Sequence, residues 1–146
     1  MLKLNLPECD LKVRSLKQSK QIFDVIRKKY VELTPEEWVR QNLIHFLIND
    51  QKYPANYFSV EKMLRVNKSP RRTDVVIYDN NLNPWMIIEC KAPTIDLDES
   101  VLFQATKYNS VLGAKYLLIS NGMQSFIFEY ENETINQQSE FPDYKL

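Results

Sequence analysis

Arg71-Arg72-Thr73-Asp74-Val75-Val76-Ile77-Tyr78-Asp79-Asn80-Asn81-Leu82-Asn83-Pro84-Trp85-Met86-Ile87-Ile88-Glu89-Cys90-Lys91 holds two short apolar runs around a polar centre. Val75 to Tyr78 and Trp85 to Ile88 are rich in β-branched and aromatic residues, and the Asn and Pro residues between them tolerate or preset turn dihedrals. The stretch therefore predicts a β-hairpin. A hairpin centred between Asn81 and Leu82 sets Asp74 opposite Glu89. Side chains repeat every second residue along a strand, so Lys91 shares a face with Glu89. Two acids and a base thus meet at the open end of apolar strands.

That grouping has a chemical meaning. Facing carboxylates repel and raise each other's pKa unless a cation lies between them, so the metal-free protein is expected to be strained at this point. Oxygen ligands of this type suit Mg²⁺ or Mn²⁺, which keep several waters and add phosphate oxygens from a substrate. A lysine beside such an ion can stabilise developing phosphate charge or help deprotonate a bound water. The alternative for Asp74 is a turn cap after Pro70, and for Glu89 and Lys91 a surface ion pair.

Asp74, a turn, then Glu89-Cys90-Lys91 resembles the PD-(D/E)XK nuclease superfamily, with Glu-X-Lys as the second half-motif. Pro70 is displaced from the usual Pro-Asp dipeptide. Gln104-Ala105-Thr106-Lys107-Tyr108 matches the Gln-x-x-x-Tyr motif of RecB-like members. With Thr34-Pro35-Glu36-Glu37-Trp38-Val39-Arg40-Gln41, these motifs make residues 20–130 similar to the N-terminal nuclease domain of type I restriction enzyme R subunits. The resemblance implies an α/β fold with a mixed central β-sheet flanked by helices, a restriction-endonuclease-like αβββαβ core. It implies that the Cys90 backbone carbonyl joins Asp74 and Glu89 as a metal ligand, that Glu37 is a further candidate, and that Gln104 and Tyr108 orient substrate or support the site. A separate helicase, translocase or specificity subunit is the implied partner.

The bulk properties neither add to this nor oppose it. The chain has 146 residues, suited to one domain, read as an extension over 1–33, a core over 34–130 and a tail over 131–146. Lys plus Arg and Asp plus Glu are 19 each, so no global charge attracts nucleic acid. A local patch would suffice, and Arg40, Lys68, Arg71, Arg72 and Lys107 are candidates for phosphate contact. Cys9 and Cys90 show no disulfide or zinc pattern. The N-terminal residues hold no signal-peptide core, and no apolar run approaches the ~18 residues that span a bilayer, so a cytoplasmic location is expected.

Along the chain, residues 21–33 fit both a helical stripe and a strand composition, and the resemblance favours an extended, hairpin-like lead-in. Thr34 as N-cap, Pro35 at N1 and Glu37 at N3 predict a helix with a capping box, ending near 49–52. Glu37 is thereby explained by the cap as fully as by a metal. His45 falls among apolar residues and reads as structural. Residues 57–66 read as one strand. Asp96 or Asp98 caps a helix over 99–112, closed by Gly113. Residues 115–120 and 124–130 are strands joined at Asn121-Gly122, which predicts a two-residue turn. The strand–helix–strand order implies one parallel pair.

The expected function is metal-dependent hydrolysis of DNA within a restriction or repair system. Asp74 and Glu89 would hold the ion and Lys91 would activate water. The rival is a weakly active or inactive binding module that keeps the nuclease fold inside a larger complex. It draws on the neutral charge and on the lack of a Walker A glycine loop.

Overall fold

The computed structural model describes residues 1–145, without the side chains of Val66 and Ser69; Leu146, the last residue of the tail read over 131–146, lies outside the described residues. Strands β1 (Val13–Ser15), β2 (Lys20–Asp24) and β3 (Lys29–Glu32) form a three-stranded antiparallel sheet of their own, so residues 21–33 make the expected hairpin-like lead-in, with a turn over 25–28. Helix α1 covers Pro35–Asn49, and the Thr34 side chain accepts the Glu37 amide at 3.0 Å. The capping box is only half made. The Thr34 amide goes to the Glu32 carbonyl, while the Glu37 carboxylate turns inward to Arg27, Arg40 and Gln41.

The segment read as one strand over 57–66 is two. β4 (Phe58–Val60) ends at Glu61, whose φ of 54° turns the chain out of the sheet, and β5 (Met63–Val66) runs away from it. β5 pairs with β6 (Ser69–Arg72) through Asn67 and Lys68, both at positive φ. Two consecutive left-handed residues are the requirement of a tight two-residue hairpin. The result is a separate two-stranded arm.

β7 (Val75–Tyr78) and β8 (Pro84–Cys90) form the expected hairpin, with Val75 opposite Ile88 and Val76 opposite Ile87. The register slips at Ile77/Tyr78, where Asp79 folds the loop by accepting the Asn81 and Asn83 amides. Asp98 caps α2 (Glu99–Asn109) by accepting the Val101 amide. The helix tightens to 3₁₀ over Ser110–Leu112 before Gly113 at φ 76°.

β9 (Tyr116–Ser120) then runs parallel to β8, as the crossover requires. β9 turns into β10 (Ser125–Glu131) through four residues rather than two. Asn121 is the reason: its side chain accepts the Met123 and Gln124 amides and so spreads the turn. β11 (Thr134–Gln138) closes the order β11-β10-β9-β8-β7-β4 of a mixed six-stranded sheet.

Both faces of the central strands are buried, which explains their unbroken apolar runs. Val75, Ile77, Met86 and Ile88 face Val39, Leu43 and Leu47 of α1. The alternate residues Val76, Ile87, Leu117 and Ile119 face Ala105 and Leu112 on the α2 side. Each such side chain contributes about 1.5–3 kcal/mol on burial.

The terminal segments are packed rather than loose. Trp38 Nε1 donates to the Leu2 carbonyl at 2.8 Å. Beyond β11, Tyr144 donates to the Tyr78 carbonyl at 2.7 Å, and its ring lies 4.9 Å from that of Trp85. Among the described residues, no helix is long and apolar enough to cross a membrane.

Candidate functional site at the open end of the central hairpin

Asp74 precedes β7, Glu89 is the penultimate residue of β8 and Lys91 lies just beyond it, so the register places all three at one end of the hairpin. Asp74 Oδ2 accepts the Cys90 amide at 2.8 Å, extending the β7–β8 ladder by a side chain. Its Oδ1 lies 3.4 Å from Arg40 Nη2. Glu89 Oε1 lies 3.4 Å from Lys91 Nζ, and its Oε2 is approached by Asn109 Nδ2 at 3.5 Å. The two carboxylates are therefore not left to repel each other. Each has its own cation, Arg40 for Asp74 and Lys91 for Glu89, and the expected strain of the metal-free site is offset.

Helix α2 supplies the facing wall. Its residues Gln104 and Tyr108, one turn apart, line a cavity of about 390 Å³ with Glu89 and Lys91. A smaller adjoining hollow of about 160 Å³ is lined by Asp74, Glu89, Arg72, Tyr108 and Asn109. Glu89 and Tyr108 border both, so the five residues read as a site from the sequence line two adjoining hollows. Glu89 and Asp74 keep side-chain exposures of 27% and 30%, enough to meet a solute.

Behind Asp74 stands a network of alternating charge. Arg27 bonds Asp24, Glu37 and Glu61; Arg40 meets Glu37 at 2.9 Å, Glu61 at 3.6 Å and Asp74; Arg72 meets Glu61 at 3.1 Å. Partial burial pushes the Glu61 carboxyl up, but Arg27, Arg40 and Arg72 together hold it below the usual carboxylate range. Burial disfavours the Arg40 charge, yet Glu37 foremost, with Asp74 and Glu61, raises its pKa further. Burial drives the Cys90 thiol upward, and Asp74 adds to it, so Cys90 is a neutral, inert side chain.

Three expectations change. Glu37 is buried and both its oxygens are taken by Arg27, Arg40 and Gln41, so it is a network anchor and not a free metal ligand. Arg40 is 5% exposed and committed to carboxylates, which removes it from the candidate phosphate contacts. Arg71 lies 4.6 Å from the Tyr108 ring centre, stacked inward instead of facing outward. Lys68, Arg72 and Lys107 are exposed.

Sequence reasoning missed Asn109, Arg27 and Glu61. Asn109 directly follows the Gln-x-x-x-Tyr stretch and was within reach of a helical-wheel argument. Glu61 and Arg27 belong to segments whose relation to Asp74 is purely tertiary.

Among the described residues, no three His, Cys, Asp or Glu side chains group as a ready metal cage. The carboxylates that border the smaller hollow are those of Asp74 and Glu89. That pair fits a hard divalent ion that keeps water and substrate oxygens, and not one that demands a full set of protein ligands.

The family described as type I restriction enzyme R protein N terminus matches residues 35–142. No curated protein matches the chain. A solved fragment assigned as an HsdR subunit of a type I restriction enzyme from Vibrio vulnificus superposes with a TM-score of 0.55 at 18% identity. The superposition covers 75% of this chain and 24% of that one, and at such identity it speaks for the fold alone. Since the family match runs from the first turn of α1 to beyond β11, the chain belongs to the type I restriction enzyme R protein N-terminus family.

Proposed function

We propose that this chain is the nuclease domain of a type I restriction system, of the PD-(D/E)XK kind, hydrolysing DNA phosphodiester bonds with Mg²⁺ or Mn²⁺. The observation that carries this reading is the pair of adjoining hollows: Asp74 and Glu89 border one, and Glu89 and Tyr108 join Lys91 and Gln104 around the other. Asp74, Glu89 and the Cys90 carbonyl would hold the cation, which when bound supplies charge stabilisation and an acidified water.

The rest falls to the chain's own groups. The Cys90 amide fixes the rotamer of Asp74. Lys91, paired with Glu89, would orient or activate the attacking water and stabilise charge developing on phosphate. Gln104 and Tyr108 present a donor-bearing wall that orients the scissile group. ATP-driven translocation and sequence recognition fall to partner polypeptides or domains.

A second reading, a nuclease-fold module without activity, is favoured by one observation: Arg40 already meets Asp74, and Glu37 is spent within the network. Cleavage assays on single- and double-stranded DNA with Mg²⁺ and Mn²⁺ separate the two. Metal-dependent cleavage that Glu89→Gln and Lys91→Met both abolish supports the nuclease. Metal binding without cleavage, even with partner subunits supplied, supports the module.

A further inference from the structure

The arm built by β5 and β6 stands outside the catalytic reading, and its composition is unlike the rest of the chain. Lys62, Arg65, Lys68, Arg71 and Arg72 fall within it or at its base, with no Asp or Glu between residues 62 and 72, in a protein of zero net charge. The register sorts these residues by face. Leu64 pairs with Arg71, and that face is turned inward: Leu64 packs against the α2-side core and Arg71 stacks on Tyr108. Cross-strand partners share a face, so Met63 with Arg72, and Arg65 with Pro70, form the other one. All four are exposed, as are Lys62 at the base and Lys68 at the tip.

A four-residue ribbon is roughly 13 Å long at about 3.3 Å per residue. A two-stranded ribbon is an element that the duplex DNA major groove, about 12 Å wide, admits. Arg72 is held in place by Glu61, which also meets Arg40, so the base of the arm is fixed beside Asp74.

We infer that the β5–β6 arm grips the phosphate backbone of duplex DNA beside the recess through Arg65 and Arg72 on its outer face, Lys62 at its base and Lys68 at its tip. This rests on the nuclease-domain reading for its purpose, since a catalytic recess needs something to hold the strand against it. Local positive charge on an outward ribbon is what favours DNA over a protein partner: Arg65 and Arg72 stand on the outer face beside Met63 and Pro70, Lys62 and Lys68 add cations at the base and tip, and no carboxylate lies among them.

The test is run in EDTA, so that binding is read with cleavage and metal absent. A fluorescein-labelled mixed-sequence duplex, and one strand of it alone, are titrated by anisotropy across a salt series. The full chain is compared with Lys62→Gln/Arg65→Gln/Lys68→Gln, which spares the charge network. A control with the same loss of charge, Lys17→Gln/Lys20→Gln/Lys29→Gln, alters exposed lysines of the N-terminal sheet region. Melting curves verify that both variants stay folded.

The arm variant is expected to lose roughly 2.7 from the slope of log K against log salt on the duplex, about 0.9 for each phosphate contact removed. The control should keep the wild-type slope. An unchanged slope in the arm variant, an equal loss in the control, or a wild type that does not bind duplex at low salt would each overturn the arm. Single-strand binding as tight as duplex binding, with the same loss, would overturn the duplex assignment. Cleavage failing while arm-dependent binding persists would instead count against the nuclease reading alone.

Discussion

Asp74 Oδ2 and the Cys90 amide lie 2.8 Å apart, so the acid at the entry of β7 completes the hydrogen bonding of the strand that carries Glu89. One side chain therefore has a structural duty and a position at the recess. The two duties separate by substitution. Asp74→Asn keeps an acceptor for Cys90, whereas Asp74→Ala leaves that amide unpaired. We expect Asp74→Ala to unfold in urea at about 1–3 kcal/mol lower stability than Asp74→Asn, the usual cost of a stranded polar group. Both should lose any rise in melting temperature produced by Mn²⁺. Equal stability of the two variants would show that the Cys90 contact contributes nothing.

Glu37 gives the opposite pattern. Its carboxylate is 8% exposed and joins two guanidiniums that are themselves 7% and 19% exposed. Removing one partner of a buried pair leaves charge uncompensated, at a cost of about 3–5 kcal/mol. Glu37→Ala should therefore lower the stability of the metal-free protein by that order. Denaturant unfolding in EDTA reads it directly. A variant that is stable in EDTA and impaired only with metal would return Glu37 to the ligand set.

Glu89 and Lys91 form a partly exposed pair, and such pairs contribute about 0–1 kcal/mol. Glu89→Gln should thus change metal-free stability by less than about 1 kcal/mol while abolishing the metal-induced rise in melting temperature, because a ligand stabilises only the state it binds. Lys91→Met should keep that rise and lose cleavage. Thermal melts of both variants with and without Mn²⁺ decide the matter. A full metal shift in Glu89→Gln would remove Glu89 from the site.

Acid should destabilise the protein in two stages. Burial holds the His45 imidazole below its usual 6.5, with Asp10 and Asp24 offsetting part of the effect. The unfolded chain then takes up the proton first. That contribution is complete above about pH 6.5 and is lost as pH falls through the lower folded value. Burial pushes the Asp24 carboxyl up, but bonds from the Arg27 side chain and from the Arg27 and Ile26 amides outweigh it, and its pKa falls below 3.8. Its contribution is present above 3.8 and disappears as pH falls through the folded value. Melting temperatures from pH 8 to pH 3 should decline first below about 6.5 and again below about 4. His45→Gln should erase only the first decline.

Local rules carried much of this fold. Thr34 and Pro35 start α1, Asp98 and Gly113 bound the second helical segment, and the hairpin register that brings Asp74 opposite Glu89 follows from turn position and side-chain alternation. Local rules also misled where side chains competed for the backbone or for charge. Asn121 consumes two amides and lengthens a turn that its Asn-Gly dipeptide marks as short. Glu37 obeys the capping-box spacing but spends its carboxylate on arginines 3 and 10 residues away. Glu61 has no turn-forming composition, and the bend there is held by its grip on Arg27, Arg40 and Arg72 and by bonds from the Glu61 amide to the Asp74 carbonyl and from Thr73 to the Lys62 carbonyl. Long-range charge pairing leaves no periodic trace in a sequence.

The protein's two tryptophans sit where its two ends are fastened. Trp38 is bound to the backbone of Leu2, and Trp85 lies under the ring of Tyr144, within about the same distance of Tyr53 and Tyr116. Emission from each indole is therefore an independent optical gauge of one terminus. In Trp85→Phe the remaining signal follows release of the N-terminal residues; in Trp38→Phe it follows the aromatic latch at the other end. Whether a partner polypeptide loosens one end while leaving the other fastened becomes visible without any added label.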